Sequence, residues 1–408
     1  MAKTERNLEG IKVLDFTRVL VGPTLTQVMR DNGADVIKIE KPFYGADERH
    51  FAPIHVGVTG EEQSGYYMML NRGKKSVTMD LKDPECKEII YKLFAWADVV
   101  AENFAPGVMK SLGIGYDVAK KINPGIVYCS MSCYGQEGPL SHLPGYDILA
   151  QAMSGLMWLT GEPDGKPMRS GTSIGDVNCT GYALSAILMS MIRKYRTGKG
   201  QYIDMSLRDC LSAVLETGII RYTQSYGKDE PMRSGAYHAT MMPYGVFDAG
   251  KGKYVIIVGL NPNHWESICK AMGKEEWGKQ EKFKDSTARA KNQKEVIEVM
   301  EAWLQTFDNR DDALKILQAE RVPCAPILSI PELLQDEQYL MRNNIVHIED
   351  PVFGPVDVPA TASVYSDTTV YNDAPPPVLG GNTSEVLRDV VGVSEDRIKA
   401  IVQKYGGK

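Results

Sequence analysis

A glycine–aspartate pair, Gly175-Asp176, stands at the head of a long apolar helical pattern covering residues 174–195. A carboxylate at such a point has two uses. It can cap the helix by accepting hydrogen bonds from the orphan N–H groups of the first turn, or it can attack an acyl group as a nucleophile. Position alone favours the cap. The other reactive side chains fall into no arrangement of their own. The seven cysteines, at 86, 129, 133, 179, 210, 269 and 324, form no CxxC pair and leave an odd one over, so neither a disulfide framework nor a zinc ribbon is expected and a reducing cytoplasm is the expected compartment. The six histidines are scattered, without HExxH or a paired helical spacing, and no metal is expected.

The elements that must carry Asp176 read as parallel βαβ units. Residues 11–16 predict a buried strand, followed by the loop 17–22 and by Pro23 at a favoured first helical position. A short helix runs to Asn32, Gly33 ends it, and residues 35–39 form the next strand. Further strands are predicted at 76–80, 99–102, 125–130 and 202–206, with helices opening at Pro84 and covering 174–195 and 209–223. The pattern is that of a doubly wound sheet. A nicotinamide enzyme would need GxGxxG in its first turn, but Arg18, Val19, Leu20, Val21, Gly22 and Pro23 stand there with a single glycine. A Walker sequence is absent too, which excludes P-loop NTPases.

At 408 residues the chain exceeds one compact core. Its 43% hydrophobic and 24% charged content is that of a folded globular protein, and a formal charge of −6 argues against a nucleic-acid binder. The charged N-terminal stretch MAKTERNLEG lacks the apolar core of a signal peptide, and no run reaches the length of a membrane span. The texture changes after residue 226. We expect a large Rossmann-like α/β domain over 1–225, a smaller α/β domain over 226–326 with helices at 263–272, 294–306 and 310–319, and a connector that returns to the large domain over 327–408.

Whole segments carry a further signal. VLDFTRVLVGPTLTQVMRDNGADVIKIEKP, NRGKKSVTMDLKDPE, ADVVAENFAPGVMKSLGIGYD, YCSMSCYGQEGP, and GTSIGDVNCTGYALSAIL with RTGKGQYIDMSL follow one another in order over residues 10–215. In this the chain resembles the class III coenzyme A transferases, the formyl-CoA and carnitine CoA-transferase family, with weaker likeness at ERVPCAPILSIPELLQDEQ and PPPVLGGNTSEVL. The resemblance implies that Asp176 is a nucleophile and passes through an aspartyl anhydride and an aspartyl-CoA thioester. It implies coenzyme contacts at Leu20, Val21, Lys41, Met79, Asp80, Leu81, Lys82, Asn103, Phe104, Ala105, Met131, Ser132, Cys133 and Tyr134. Coenzyme A enters as a substrate thioester, with no permanently bound cofactor. The family further implies a homodimer of interlaced rings, with the irregular passages at 226–240 and 326–380 as connectors; from the acidic charge and the lack of a long apolar run, no nucleic-acid or membrane partner is expected.

An acidic enzyme that binds a coenzyme with several phosphates must gather cations locally. Lys38, Lys41, Arg72, Lys74, Lys75 and Lys82 lie at strand ends or adjacent turns, where a solvated charged face is the alternative for each. Where formyl-CoA transferase has a glutamine in the first loop, Leu20 stands here, and Ser111 replaces an arginine. The glycine-rich lid gives way to AYHATMMPYGVF, so a short apolar, branched, aromatic or hydroxy acid is expected as acceptor rather than oxalate or formate. The 2-methylacyl-CoA racemases of the same fold use a histidine in a Gly-His-Asp triplet. This chain reads Gly145-Tyr146-Asp147, and a phenol with an ordinary pKa near ~10 shuttles protons poorly at neutral pH. A non-catalytic acyl-CoA binding protein would have no use for Asp176.

Overall fold

The computed structural model describes residues 5–370 and 372–407; residues 1–4 of the charged N-terminal stretch, with 371 and 408 in the tail, lie outside that description. The chain forms two compact units. The first takes the chain up to Ser154, Gly171–Leu215 and Glu337 onward; the second takes Gly155–Ser170 and Glu216–Asp336. The excursion at 155–170 has no counterpart in the sequence reading, which set its boundaries at 225/226 and 326/327. The helix expected over 209–223 is two helices, because Glu216 adopts a φ of 45°, outside the range an α-helix interior accepts.

In the first unit β1 (Lys12–Asp15), α1 (Val21–Asp31), β2 (Asp35–Glu40), α2 (Gly65–Asn71), β3 (Lys75–Thr78), α3 (Pro84–Trp96), β4 (Val99–Glu102), β5 (Val127–Ser132), α4 (Asp147–Met153), α5 (Ile174–Thr197), β6 (Tyr202–Ser206) and α6 (Leu207–Ser212) follow in chain order. Local chemistry sets their ends. Asp83 accepts the Glu85 N–H at 2.8 Å in front of Pro84, Ser64 caps α2 through the Tyr67 N–H, and Gly33 closes α1 at a φ of 103°. The six strands run parallel in the order β3-β2-β1-β4-β5-β6.

Register and alternation sort the strand residues by face. Leu14 pairs with Ile37 and Asp15 with Lys38, while Lys38 pairs with Ser76 and Ile39 with Val77. One face carries Leu14, Ile37, Ile39, Val77 and Val100 into a core with Ile89, Ile90, Leu93 and Phe94 of α3. Each such side chain fully buried contributes about 1.5–3 kcal/mol. The C-terminal helices, α11 (Thr383–Asp389) and α12 (Glu395–Tyr405), seal the same core with Val386, Leu387, Ile398 and Ile401. The other face carries Asp15, Lys38, Glu40 and Ser76, all buried.

The second unit holds α7 (Thr217–Gln224), then β7 (Tyr244–Asp248), β8 (Tyr254–Val258), α8 (Pro262–Ala271), α9 (Gln293–Leu304), α10 (Arg310–Ala319) and β9 (Cys324–Pro326). The strands form an antiparallel sheet, β9-β8-β7. Phe247, Val255, Ile257, Trp265, Phe283 and Leu317 fill the core. The sequence reading missed β7, because Gly245 inside it weakens the strand pattern; a Cβ there would stand 2.5 Å from the Ala236 carbonyl oxygen.

Asp31, at the end of α1, gathers much of the first unit. Its carboxylate takes the Arg72 guanidinium, the Gln27 amide at 2.7 Å, the Thr361 hydroxyl at 2.7 Å and the Asn372 amide at 3.2 Å. Arg72 is 2% exposed. Asp31→Ala would strand that guanidinium away from water, and such a loss costs about 3–5 kcal/mol. Urea unfolding of the Asp31→Ala variant should therefore show a midpoint well below that of the wild type.

Candidate active site

The strand order reverses between β1 and β4, and a crevice at the carboxyl end of a parallel sheet is where such folds receive ligands. A pocket of about 250 Å³ lies there, walled by Arg18–Val21 after β1, Asn103–Pro106 after β4, Met131–Tyr134 at the end of β5, Tyr146 and Asp147 at the start of α4, and Asp176 on α5.

The first two walls are stitched together. The Asn103 side chain accepts the Arg18 N–H at 2.9 Å and donates to the Arg18 carbonyl at 2.7 Å, and the Arg18 guanidinium lies over the Phe104 ring at 5.4 Å. Glu102, buried behind this wall, accepts the Phe104 N–H at 2.9 Å, and burial pushes its carboxyl up to about 7. Below the first loop, the fully buried Lys38 ammonium donates to the Thr17 carbonyl at 2.7 Å and pairs with Glu48 at 3.0 Å. Burial would depress that lysine, but Glu48, Asp15 and Glu40 outweigh it and hold its pKa above the ordinary value. Asp15 takes Lys74 at 3.2 Å and the hydroxyls of Thr17 and Thr26 at 2.6 Å each. Burial opposes the Asp15 charge, but Lys38 and Lys74 prevail and keep the carboxyl below its usual range. Val19 sits in this loop with a φ of 71°, which costs a β-branched residue on the order of 1–3 kcal/mol.

Asp176 does not cap its helix. The cap residue, Ser173, makes no side-chain cap either. Asp147, from the head of α4, accepts the Gly175 N–H at 2.7 Å and the Asp176 N–H at 3.3 Å through one oxygen, while its other oxygen takes the Gln151 amide at 2.6 Å. Gly175 is what admits it: a Cβ at that position would stand 2.8 Å from the Asp147 oxygen. The Asp176 carboxylate is thus left free, and burial, with the Asp147 charge adding to it, pushes its pKa up to about 7. Tyr66 on α2 is pushed up to about 12 by burial and by the Asp176, Glu48 and Asp147 carboxylates, so it stays a neutral phenol. The thiol of Cys133 is raised by burial and by Asp176 and Asp147. It is therefore a poor nucleophile.

Of the residues singled out from sequence, Leu20, Val21, Asn103, Phe104, Ala105, Met131, Ser132, Cys133, Tyr134 and Asp176 come together in the pocket wall; Lys41, Met79, Asp80, Leu81 and Lys82 do not. These five lie where β2 and β3 end, farther along the same carboxyl edge. Met79 is 1% exposed with its side chain in the core, and Lys41 is exposed and 3.8 Å from Asp47. The proposed basic patch needs correction. Lys38, Arg72 and Lys74 are buried on the internal carboxylates Glu48, Asp31 and Asp15, and Lys75 pairs with Asp35 and Glu385. A lysine at a strand end reads alike whichever face it takes, and here alternation turned Lys38 inward. Sequence reasoning named Asp147 only as the end of the Gly145-Tyr146-Asp147 triplet and missed its part at the head of α5; its place beside Gln151 at i,i+4 on a helix was a second legible signal. Among the described residues no group of three or more His, Cys, Asp or Glu is placed to hold a metal ion, and no helix is long and apolar enough to cross a membrane.

Comparison with known proteins agrees with this geometry. The profile of CoA-transferase family III matches residues 8–383. Human succinyl-CoA:glutarate CoA-transferase is 36% identical over 390 residues, covering 94% of this chain and 86% of that protein. Acetyl-CoA:oxalate CoA-transferase of Acetobacter aceti is 37% identical over 350 residues, covering 85% of this chain and 87% of that protein. The crystal structure of a CAIB/BAIF family protein from Brucella suis superposes with a TM-score of 0.84 at 35% identity, covering 95% of this chain and all of that one.

If the Asp147 charge helps to hold Asp176 near neutrality, removing it should free the proton at lower pH. Infrared spectroscopy of the wild type labelled with carbon-13 at the aspartate carboxyls, which leaves Glu102 unlabelled, should show an aspartate titration near pH 7 that Asp176→Asn abolishes. In Asp147→Asn, which keeps an acceptor for the helix N–H groups, the midpoint should move down toward the ordinary carboxyl value while burial holds it above.

Proposed function

This chain belongs to CoA-transferase family III and is a CoA-transferase, and we propose that it transfers CoA from an acyl-CoA donor to a free carboxylic acid through covalent intermediates on Asp176. One observation carries the reading: a free carboxylate in the wall of the pocket, raised toward neutral, whose capping duty another residue has taken over. A carboxylate is the right nucleophile because an acyl-aspartyl anhydride is as reactive as the thioester it replaces.

The ionised Asp176 oxygen attacks the donor thioester carbonyl, and the C–S bond breaks to give a mixed anhydride and CoA thiolate. The thiolate attacks the aspartyl carbonyl, the donor acid leaves, and an aspartyl-CoA thioester remains. The acceptor carboxylate then displaces the thiolate as a second anhydride. Attack of the thiolate on the acceptor carbonyl gives the new acyl-CoA and regenerates Asp176. Each step passes through a tetrahedral oxyanion. The start of α1, which carries no side-chain cap and begins at Leu20 and Val21 in the wall, offers positive dipole to that charge.

On this reading the acyl end of the coenzyme lies against Leu20, Val21, Asn103–Ala105 and Met131–Tyr134. The buried Ser132 hydroxyl, which has no protein partner, is a group that a ligand would satisfy. The nucleotide end follows the carboxyl edge toward Lys41 and Asp80–Lys82, where Lys41 and Lys82 are the exposed cations. The acceptor is a short carboxylic acid. Leu20 supports an apolar, branched, aromatic or hydroxy acid, whereas the names of the relatives point to short dicarboxylates such as glutarate and oxalate; a donor-by-acceptor panel read by mass spectrometry separates the two. The enzyme works as a homodimer in the cytoplasm. In support, α5 exposes Val177, Tyr182, Met189, Ile192 and Tyr195, an apolar stripe suited to a second copy, and all seven cysteines are free thiols.

Asp176→Asn should fold with near-native thermal stability, since the cap is Asp147, yet lose transfer by several orders of magnitude. Wild-type enzyme given donor alone should form an adduct that hydroxylamine traps, and peptide mass spectrometry should map it to Asp176. An active asparagine variant, or an adduct elsewhere, would refute the mechanism. Because the attacking carboxylate must be ionised, kcat/KM for the donor should rise with pH through about 7. No histidine lines the pocket, so incubation with a 2-methylacyl-CoA in deuterated water should leave the α-carbon free of deuterium. Rapid wash-in would indicate a racemase.

A further inference from the structure

We infer that Glu48 is a positioning residue of this site: its buried carboxylate holds Val19 in the left-handed conformation that shapes the wall formed by Arg18–Val21. The inference rests on the CoA-transfer reading of the pocket. Glu48 lies on the 3-10 turn Asp47–His50, is fully buried, and does not line the pocket itself. One oxygen accepts the Val19 N–H at 2.9 Å. The other takes the Lys38 ammonium at 3.0 Å and the Asn71 amide at 3.3 Å.

At a φ of 71° the branched Cβ of Val19 crowds its own backbone, so nothing intrinsic keeps the residue there. An external restraint must do so, and the bond to the Glu48 carboxylate is that restraint. Thr17, Arg18 and Val19 are each held by a different side chain: Lys38 on the Thr17 carbonyl, Asn103 on both polar groups of Arg18, and Glu48 on the Val19 N–H. The Arg18 carbonyl and the Val19 N–H lie on opposite edges of one peptide plane, so relaxing φ at Val19 against a packed α1 would turn that plane and break the Glu48 bond together with the Asn103 bond to the Arg18 carbonyl. Of the two, only the Glu48 bond has a charged acceptor. A charged acceptor makes a stronger hydrogen bond than a neutral one, which suits an anchor that must oppose strain. Lys38 serves twice, fixing Thr17 and neutralising the charge that Glu48 buries. Because the chain runs from Val19 directly into α1, relaxation at this residue would displace Leu20, Val21 and the uncapped start of the helix together.

Glu48→Gln keeps the shape and removes the charge. With the wild-type Val19, kcat for CoA transfer should fall on the order of ten- to a hundredfold, with a smaller change in KM for the donor, because a misplaced wall is felt most at the reacting carbonyl. In a Val19→Gly background the left-handed conformation is unstrained, and the same substitution should then cost less than about threefold. An equal loss in both backgrounds, or no loss in the first, would overturn the inference. Amide exchange of the wild-type protein gives an independent measure that needs neither activity nor a folded variant: the Val19 N–H should be strongly protected, and exchange at the rate of an exposed loop would overturn the inference as well. A wild-type enzyme that transfers no CoA while its Val19 amide is protected would instead refute the transfer reading and leave the anchor standing.

Discussion

Charge taken out of water costs several kcal/mol per ion unless a partner and hydrogen bonds accompany it, and the first unit buries Asp15, Lys38, Glu40, Glu48 and Lys74 together against one face of β1–β3. Their pairing cannot be rearranged piecemeal. Strand register sets Asp15 beside Lys38 and Lys38 beside Ser76, so the cations and carboxylates meet only if the three strands are aligned to the residue. Glu40, held near 2 against its burial by Arg49 and Lys38, ties the turn after β2 into the same group. The loop between β1 and α1 inherits its shape from this network, because Lys38 and Glu48 spend their remaining bonding capacity on its backbone.

The second constraint concerns the start of α5. Orphan N–H groups at a helix head require an acceptor, and the nearest carboxylate in sequence is Asp176. Had it met that need, its oxygens would be engaged and its pKa drawn down. Asp147 reaches across instead, through the space that Gly175 leaves, and its charge joins burial in raising Asp176. One carboxylate is thereby structural and its neighbour is left basic, two roles divided by environment rather than by residue type.

Much of this was legible beforehand. Apolar alternation and helix punctuation gave β1, β2, β4 and β6 to within a residue or two, because a buried parallel sheet demands unbroken apolar strands. The lack of GxGxxG after β1 excluded a dinucleotide although the strand order is that of a dinucleotide-binding sheet. The basic patch was misread for an instructive reason. Lys38, Arg72 and Lys74 carry no mark in sequence of which way they point, and Lys74 finds Asp15 at a separation of 59 residues. The break at Glu216 was hidden too, since its apolar spacing continues through the interruption.

The amino-acid sequence by itself determined the parallel α/β class, the family resemblance and the Gly175-Asp176 pair, because periodicity, punctuation and ordered segments are local properties that survive without a fold. The tertiary structure alone decided what Asp176 is free to do, since a cap and a nucleophile look the same until it is known whether another acceptor reaches the helix N–H groups. It also decided which cations are spent internally and that a strained valine forms part of the wall. All three depend on distances between residues far apart in the chain, and only packing sets those.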